Sequence, residues 1–304
     1  MVSPSGPVDR GDLELGVSLL EKRGYRVCVA SHAADQHGSS GVSYLAGSDQ
    51  DRAADINSCF ADADIDAIFC SRGGYGSLRL LDHLDWDVIR DNPKIFVGYS
   101  DITSLHLGIA RHAGFVTFHA PMVCAYPKLN DTAMAQLWSL LEGDGGPELP
   151  LLEHQDTRTS AIQTLVPGIA TGELAGGCLC LLAHACGSKY APDLSGKIVL
   201  IEDVGEAVYR ADRSLWQLRN AGVLDDVAGF VVGNLTNWRQ QEADPPRNTP
   251  EMMFGEFFGE LGKPAIMGYP FGHEPNPVSL PLGVTARLDA GSGSLTLIGP
   301  WAVC

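Results

Sequence analysis

Three side chains suited to acyl transfer occur in the order serine, acid, histidine. They are Ser100 in KIFVGYSDIT, Glu202 in KIVLIEDVGE and His273 in PAIMGYPFGHEPN. A serine hydroxyl attacks a carbonyl at neutral pH only when a base takes its proton, and histidine is the usual base. The histidine needs an acid to fix its tautomer and stabilise the imidazolium, which Glu202 can supply. The same order runs along α/β-hydrolase chains, although such orders vary by fold. Plainer readings stand beside this one. Ser100 or Asp101 can simply cap a helix, Glu202, Asp203 and Glu206 can be a solvated strand end, and His273 can be an ordinary loop residue. The G-x-S-x-G elbow is also incomplete, because Ile102 replaces its second glycine.

The flanking patterns supply the elements that such residues need. Ile95, Phe96 and Val97 read as a buried strand, and Ile102, Leu105 and Ile109 recur at helical spacing beyond the turn. A turn of that kind pushes a hydroxyl into a cleft, and the free N–H groups of the helix start can stabilise negative charge. A second apolar strand, AIFCS, runs into Arg72-Gly73-Gly74-Tyr75-Gly76. Paired glycines let backbone N–H groups approach a ligand closely. This turn can serve a phosphate, an oxyanion or nothing at all, and G-x-G-x-x-G is not in register.

Helices at 12–22 and 49–65 and strands at 25–30, 67–71, 94–100 and 115–121 alternate through the first 120 or so residues. The expected architecture is α/β: a doubly wound, mostly parallel sheet with helices on both faces. Ligands bind at the carboxyl ends of such strands, so RGGYG and GYSD should share one rim. Residues 143–160 turn to glycine, proline and charge without periodicity, the mark of a linker. Beyond it the chain is strand-rich: a short strand, glycine turn and small helix over 168–187, then strands at 197–206, 227–234 and 264–268. A helix is expected at 208–220 and a hairpin over 284–299. The domains are therefore set at 1–142 and 166–304, with 143–165 between them, the second being smaller, β-rich and mixed.

With 304 residues, 45% hydrophobic, the chain is long enough for two ordinary domains. A formal charge of −16 argues against nucleic acid or an anionic membrane as partner. No apolar run is long enough to span a bilayer, and MVSPSGPVDRGDLELG lacks the blocks of a secretory signal, so a cytoplasmic location is expected. The eight cysteines lie mostly in apolar runs with no C-x-x-C pair, and the nine histidines do not cluster at ligand spacing. Buried reduced thiols, no metal and no cofactor are the expectation.

The motifs resemble the L,D-carboxypeptidase family of serine peptidases, which act on murein peptides and include the microcin C immunity peptidases. The resemblance runs nearly end to end: SPSGP, DQDRAADINSCFAD (49–62), AIFCSRGGYGSLRLL (67–81), FVGYSDIT (96–103), FHAPM (118–122), GELAGGCL (172–179), LIEDVGEAVYRADR (200–213), and FGH with PLG (271–283). It implies two domains with the active site at their junction, in a homodimer. Carried over by position, Ser100 resembles the nucleophile, His273 the general base and Glu202 its orienting acid, with Glu206 the competing acid in the same segment. The amides of Gly74 and Asp101 resemble the oxyanion hole. One departure is Cys178, where the family commonly has Asn; a thiol lacks the paired donor and acceptor of an amide.

The activity so implied is metal-independent hydrolysis of the L,D bond to the terminal D-alanine of a murein tetrapeptide, in peptidoglycan recycling. The terminal carboxylate suits a guanidinium, and Arg72, beside Gly73, is the candidate; a structural salt bridge explains it equally. Two rivals remain. A microcin-immunity type would cleave peptidyl- or aminoacyl-nucleotide antibiotics, with Trp238 as a platform for the base. A catalytically silent ligand-binding relative would keep only the scaffold.

Overall fold

The protein is described here from a computed structural model, which covers residues 1–35, 43–143, 162–238 and 249–299. In the first half Ala67–Phe69 (β1), Ile95–Gly98 (β2) and Thr117–His119 (β3) pair in parallel. Successive strand residues face opposite sides, and both sides here are apolar. Ile68 and Phe96 pack one way, Val97 and Phe118 the other. The first side is covered by Asp49–Ala61 (α2), Trp86–Asp91 (α3) and Thr103–His112 (α4) through Ile56, Phe60, Ile89 and Leu105. Arg10–Lys22 (α1) and Asp131–Leu141 (α5) cover the second through Leu13, Leu20 and Leu137. Helices therefore flank both faces, as the alternating pattern implies.

The second half carries the larger sheet. Ile169–Cys178 (β5), Ile198–Val204 (β6), Gly229–Thr236 (β7) and Ala265–Met267 (β8) are parallel. They are joined by Leu179–Ala185 (α6), Val208–Asn220 (α7) and Pro250–Leu261 (α8), which bury Leu182, Leu215, Phe254 and Phe258 against Val199, Phe230 and Val232. The mixed character lies at the flanks. Gln163–Val166 (β4) is antiparallel to β8, and the hairpin Thr285–Asp289 (β10) with Ser294–Leu297 (β11) is antiparallel to β5.

Leu280–Leu282 (β9) leaves its own half and pairs antiparallel with β3, so the small sheet runs β1-β2-β3-β9. This strand stitches the halves together just beyond the His273 loop. β4 begins inside the stretch read as a connection and ends one residue beyond it; residues 144–161 of that stretch lie outside the described residues.

Two local expectations are corrected. YRVCVA at 25–30 forms no strand. The place beside β1 is taken by the chain start, where Val2 bridges Cys70. Gly176 and Gly177 do not turn the chain but lie within β5 at φ 125° and 138°. A Cβ on Gly176 would come 2.1 Å from the Leu200 carbonyl oxygen, so glycine here permits close approach to β6.

Candidate active site

Ser100 sits where β2 gives way to a short 3-10 turn, Ser100–Ile102, that feeds α4. Its φ of 63° lies in the left-handed region, which costs a non-glycine residue about 1–3 kcal/mol. The surroundings hold it there. Asp101 is buried, and its carboxylate accepts hydrogen bonds from Ser5 Oγ at 2.6 Å and from the Ser77 amide at 2.8 Å. Neither Ser100 nor Asp101 caps the helix, so the Ser100 hydroxyl is left for another partner.

That partner is His273. Its Nε2 lies 2.9 Å from Ser100 Oγ, and its Nδ1 lies 2.5 Å from Glu202 Oε2. Glu202 is fully buried on β6, where the β6–β7 register shifts between Ile201 and Asp203. Such an irregularity re-aims side chains at a sheet rim. The His273 loop closes onto the carboxylate through Gly272 (φ 87°), whose absent Cβ would lie 2.6 Å from Glu202 Oε2. Tyr99 flanks His273 with ring centroids 5.0 Å apart. Glu206, the other acid of this segment, instead faces Arg210 at 3.9 Å.

The electrostatics follow from burial against pairing. Burial alone would push the Glu202 carboxyl up, but the facing imidazoles of His119 and His273 more than offset it, holding the group at about 2. Burial pulls His273 down, yet its hydrogen bond to Glu202 and the charges of Glu202 and Asp203 leave it above its ordinary value. An anionic acid thus orients an imidazole of raised basicity, whose other nitrogen reaches a hydroxyl. Chemically, such a set can activate the hydroxyl as a nucleophile and return its proton to a leaving group.

The glycine turn shares this rim. Ser100, His273, Arg72, Gly73 and Gly74 line one open cleft of about 330 Å³, with Asp12 and Lys128 at its edge. Gly73 lies so close that a Cβ there would come 3.2 Å from Ser100 Oγ, and Gly74 holds φ 117°. Arg72 Nη1 donates to the Pro7 carbonyl at 2.9 Å. Cys178 is the β5 ladder neighbour of Glu202, and its amide donates to Thr103 Oγ1 at 3.0 Å. Trp238 packs against the apolar cluster of the second half. A larger cavity of about 570 Å³ lies by the opposite ends of β1 and β2, lined by Tyr25, Ala67, Ile95 and Trp138, and includes none of these groups. His119, at the carboxyl end of β3, escaped the sequence reading although it lies within the FHAPM segment.

Residues 1–120 match the LD-carboxypeptidase N-terminal domain, and residues 171–288 match the LD-carboxypeptidase C-terminal domain. The chain belongs to the LD-carboxypeptidase family. As a member of this family it is a peptidase. A Bacillus subtilis protein named "Probable murein peptide carboxypeptidase" is 35% identical, over 95% of this chain and 88% of its own. The crystal structure of muramoyltetrapeptide carboxypeptidase from Oxalobacter formigenes superposes with a TM-score of 0.83 at 29% identity, covering 99% of this chain and 98% of that one. The Microcin C7 self-immunity protein MccF of Escherichia coli is 26% identical over 93% of this chain and 86% of its own length. Among the described residues no helix is long and apolar enough to cross a membrane.

Proposed function

We propose that this protein is a serine-type, metal-independent L,D-carboxypeptidase that releases the terminal D-alanine of murein tetrapeptides. The observation that carries the reading is the continuous Ser100–His273–Glu202 contact at a cleft shared with the glycine turn. His273 Nε2 takes the Ser100 proton as Oγ attacks the carbonyl of the meso-diaminopimelate–D-alanine bond. The oxyanion meets the amides of Gly74 and Asp101. His273 then hands the proton to the departing D-alanine nitrogen, and water activated by the same imidazole frees the acyl-enzyme. Arg72, with Gly73 beside it, receives the substrate carboxylate through guanidinium N–H groups not used on Pro7.

The setting we infer is peptidoglycan recycling in a bacterial cytoplasm by a homodimer. Residues 1–142 carry the nucleophile, and residues 166–304 carry the acid and histidine. Sedimentation velocity tests the dimer, and a monomer at micromolar concentration would refute it.

The test of activity is D-alanine release from purified tetrapeptide by wild type and Ser100→Ala, with EDTA throughout. Release by wild type and a loss of three or more orders of magnitude in the variant are expected. No release by folded wild type would sink the murein assignment. Aminoacyl sulfamoyl nucleosides would be assayed next, given the likeness to the microcin self-immunity protein. Failure on both substrates would favour a catalytically silent binder.

A further inference from the structure

A second cluster of reactive groups lies beside Glu202. Alternate residues of β6 face opposite sides of the sheet, so while Glu202 points to His273, Asp203 turns toward the start of α6. Asp203 is 3% exposed, and among the described residues its carboxylate is held by backbone amides. Oδ2 accepts from the Cys180 amide at 2.9 Å and Oδ1 from the Val204 amide at 2.8 Å. Among the described residues no cationic side chain pairs with it. The thiols of Cys178 and Cys180 lie 3.4 Å apart, and one ligand atom from each of the three residues falls within 4.8 Å of the others.

The separation of the two thiols is close to that in a tetrahedral site. Zinc–sulfur bonds near 2.3 Å and zinc–oxygen bonds near 2.1 Å put sulfurs about 3.8 Å apart and sulfur about 3.6 Å from oxygen, so the thiols, 3.4 Å apart here, need part by only about 0.4 Å. The charge environment also favours a cation. Burial pushes the Asp203 carboxyl up, and the hydrogen bond to Cys180, then burial, push the Cys178 thiol up, with Glu202 adding to both. The carboxylates of Glu202 and Asp203 thus set negative charge beside the two thiols.

We propose that Cys178, Cys180 and Asp203 form a binding site for one thiophilic divalent cation of the zinc and cadmium class, distinct from the hydrolytic groups and independent of the hydrolytic reading. Binding joins the ion to two sulfurs and one carboxylate oxygen, leaves a fourth position for water, and releases the two thiol protons. Hard cations such as magnesium are excluded by the sulfur donors. The C-x-C spacing says little alone, because the third ligand comes from a strand 23 residues further on.

The experiment is titration of the full-length, chelator-stripped protein with cadmium chloride, followed by the ultraviolet thiolate-to-cadmium charge-transfer band and by proton release in weak buffer. The expected result is saturation at one ion per chain with two protons released, and no response to magnesium. Cys180→Ser should weaken binding at least 100-fold and Asp203→Asn at least 10-fold, with Cys180→Ser keeping the wild-type circular dichroism spectrum. An absent band, or the same stoichiometry and affinity in Cys180→Ser, overturns the site. Should Asp203→Asn fail to fold, X-ray absorption at the cadmium edge of wild type decides. Two sulfur neighbours support the site, and any other number refutes it.

Discussion

His119 Nε2 lies 3.8 Å from Glu202 Oε1, and both atoms are buried without a hydrogen-bond partner among the described residues. Glu202 is thus approached by one imidazole on each oxygen, touching His273 and facing His119 across a gap slightly too long for a hydrogen bond. The ring of His119 is itself held edge-on between Tyr99 and Phe271. On the proposed mechanism, His119 keeps the carboxylate ionised and aimed without meeting substrate.

His119→Phe should therefore lower kcat about 10- to 100-fold with little change in KM, the scale expected when a positioning contact is lost. His119→Gln, which restores an N–H donor, should recover part of the rate. Steady-state kinetics of both variants check this; an unchanged kcat in His119→Phe would remove the role.

The pH profile tests the pairing from the other side. His273 works as a base only when neutral, so kcat/KM should rise with pH through the His273 pKa. That pKa is raised, which puts the acid limb above about 6.5 in wild type. In Glu202→Gln the carboxylate's upward pull is gone while burial still pulls down, so the limb should move to lower pH. Its plateau should fall about 10³- to 10⁴-fold. A limb that stays in place would show that His273 is not the titrating group.

Gly272 and Gly114 offer a matched pair. Both have positive φ, 87° and 74°, but a Cβ on Gly272 strikes Glu202 while one on Gly114 meets nothing within 4 Å. Gly114→Ala should cost about 1 kcal/mol of stability and no activity. Gly272→Ala should cost more stability and at least 100-fold in kcat/KM, because the histidine loop must back away from the acid. Thermal melts and hydrolysis assays on both proteins separate strain from misplacement.

Arg52 ties the glycine turn to the chain start. Its buried guanidinium donates to the carbonyls of Pro4, Gly47 and Gly76 and pairs with Asp49 at 2.5 Å. Arg52→Met leaves those carbonyls unpaired and should destabilise the fold by about 3 kcal/mol. Urea unfolding measures it; a loss below about 1 kcal/mol would mean water replaces the guanidinium.

What a short stretch of chain encodes was legible in advance. An apolar run, a turn and a helical repeat lie within KIFVGYSDIT and its continuation, so the placing of Ser100 at a strand end followed from local pattern. So did α7, whose apolar and polar residues separate cleanly onto two faces, and the β10–β11 hairpin, whose turn is local. The glycine turn expected within 168–187 is strand at Gly176 and Gly177, because local pattern does not distinguish a turn from close strand packing. Only β6, arriving from elsewhere, makes the difference.

The site itself is a tertiary object. His273 is 173 residues from Ser100 and 71 from Glu202. The order of the sequence determined that a serine, an acid and a histidine lie on or just beyond three strands. Which acid meets the histidine was open, since Glu202 and Glu206 share one segment. The stacking of β6 beside β5 and the fold of the Gly272 loop decided for Glu202. Likewise the crossing of β9 to β3, the place of His119 and the gathering of Cys178, Cys180 and Asp203 were settled by packing. Contacts between distant segments depend on how two sheets bury their apolar faces together, and that is a property of the whole chain.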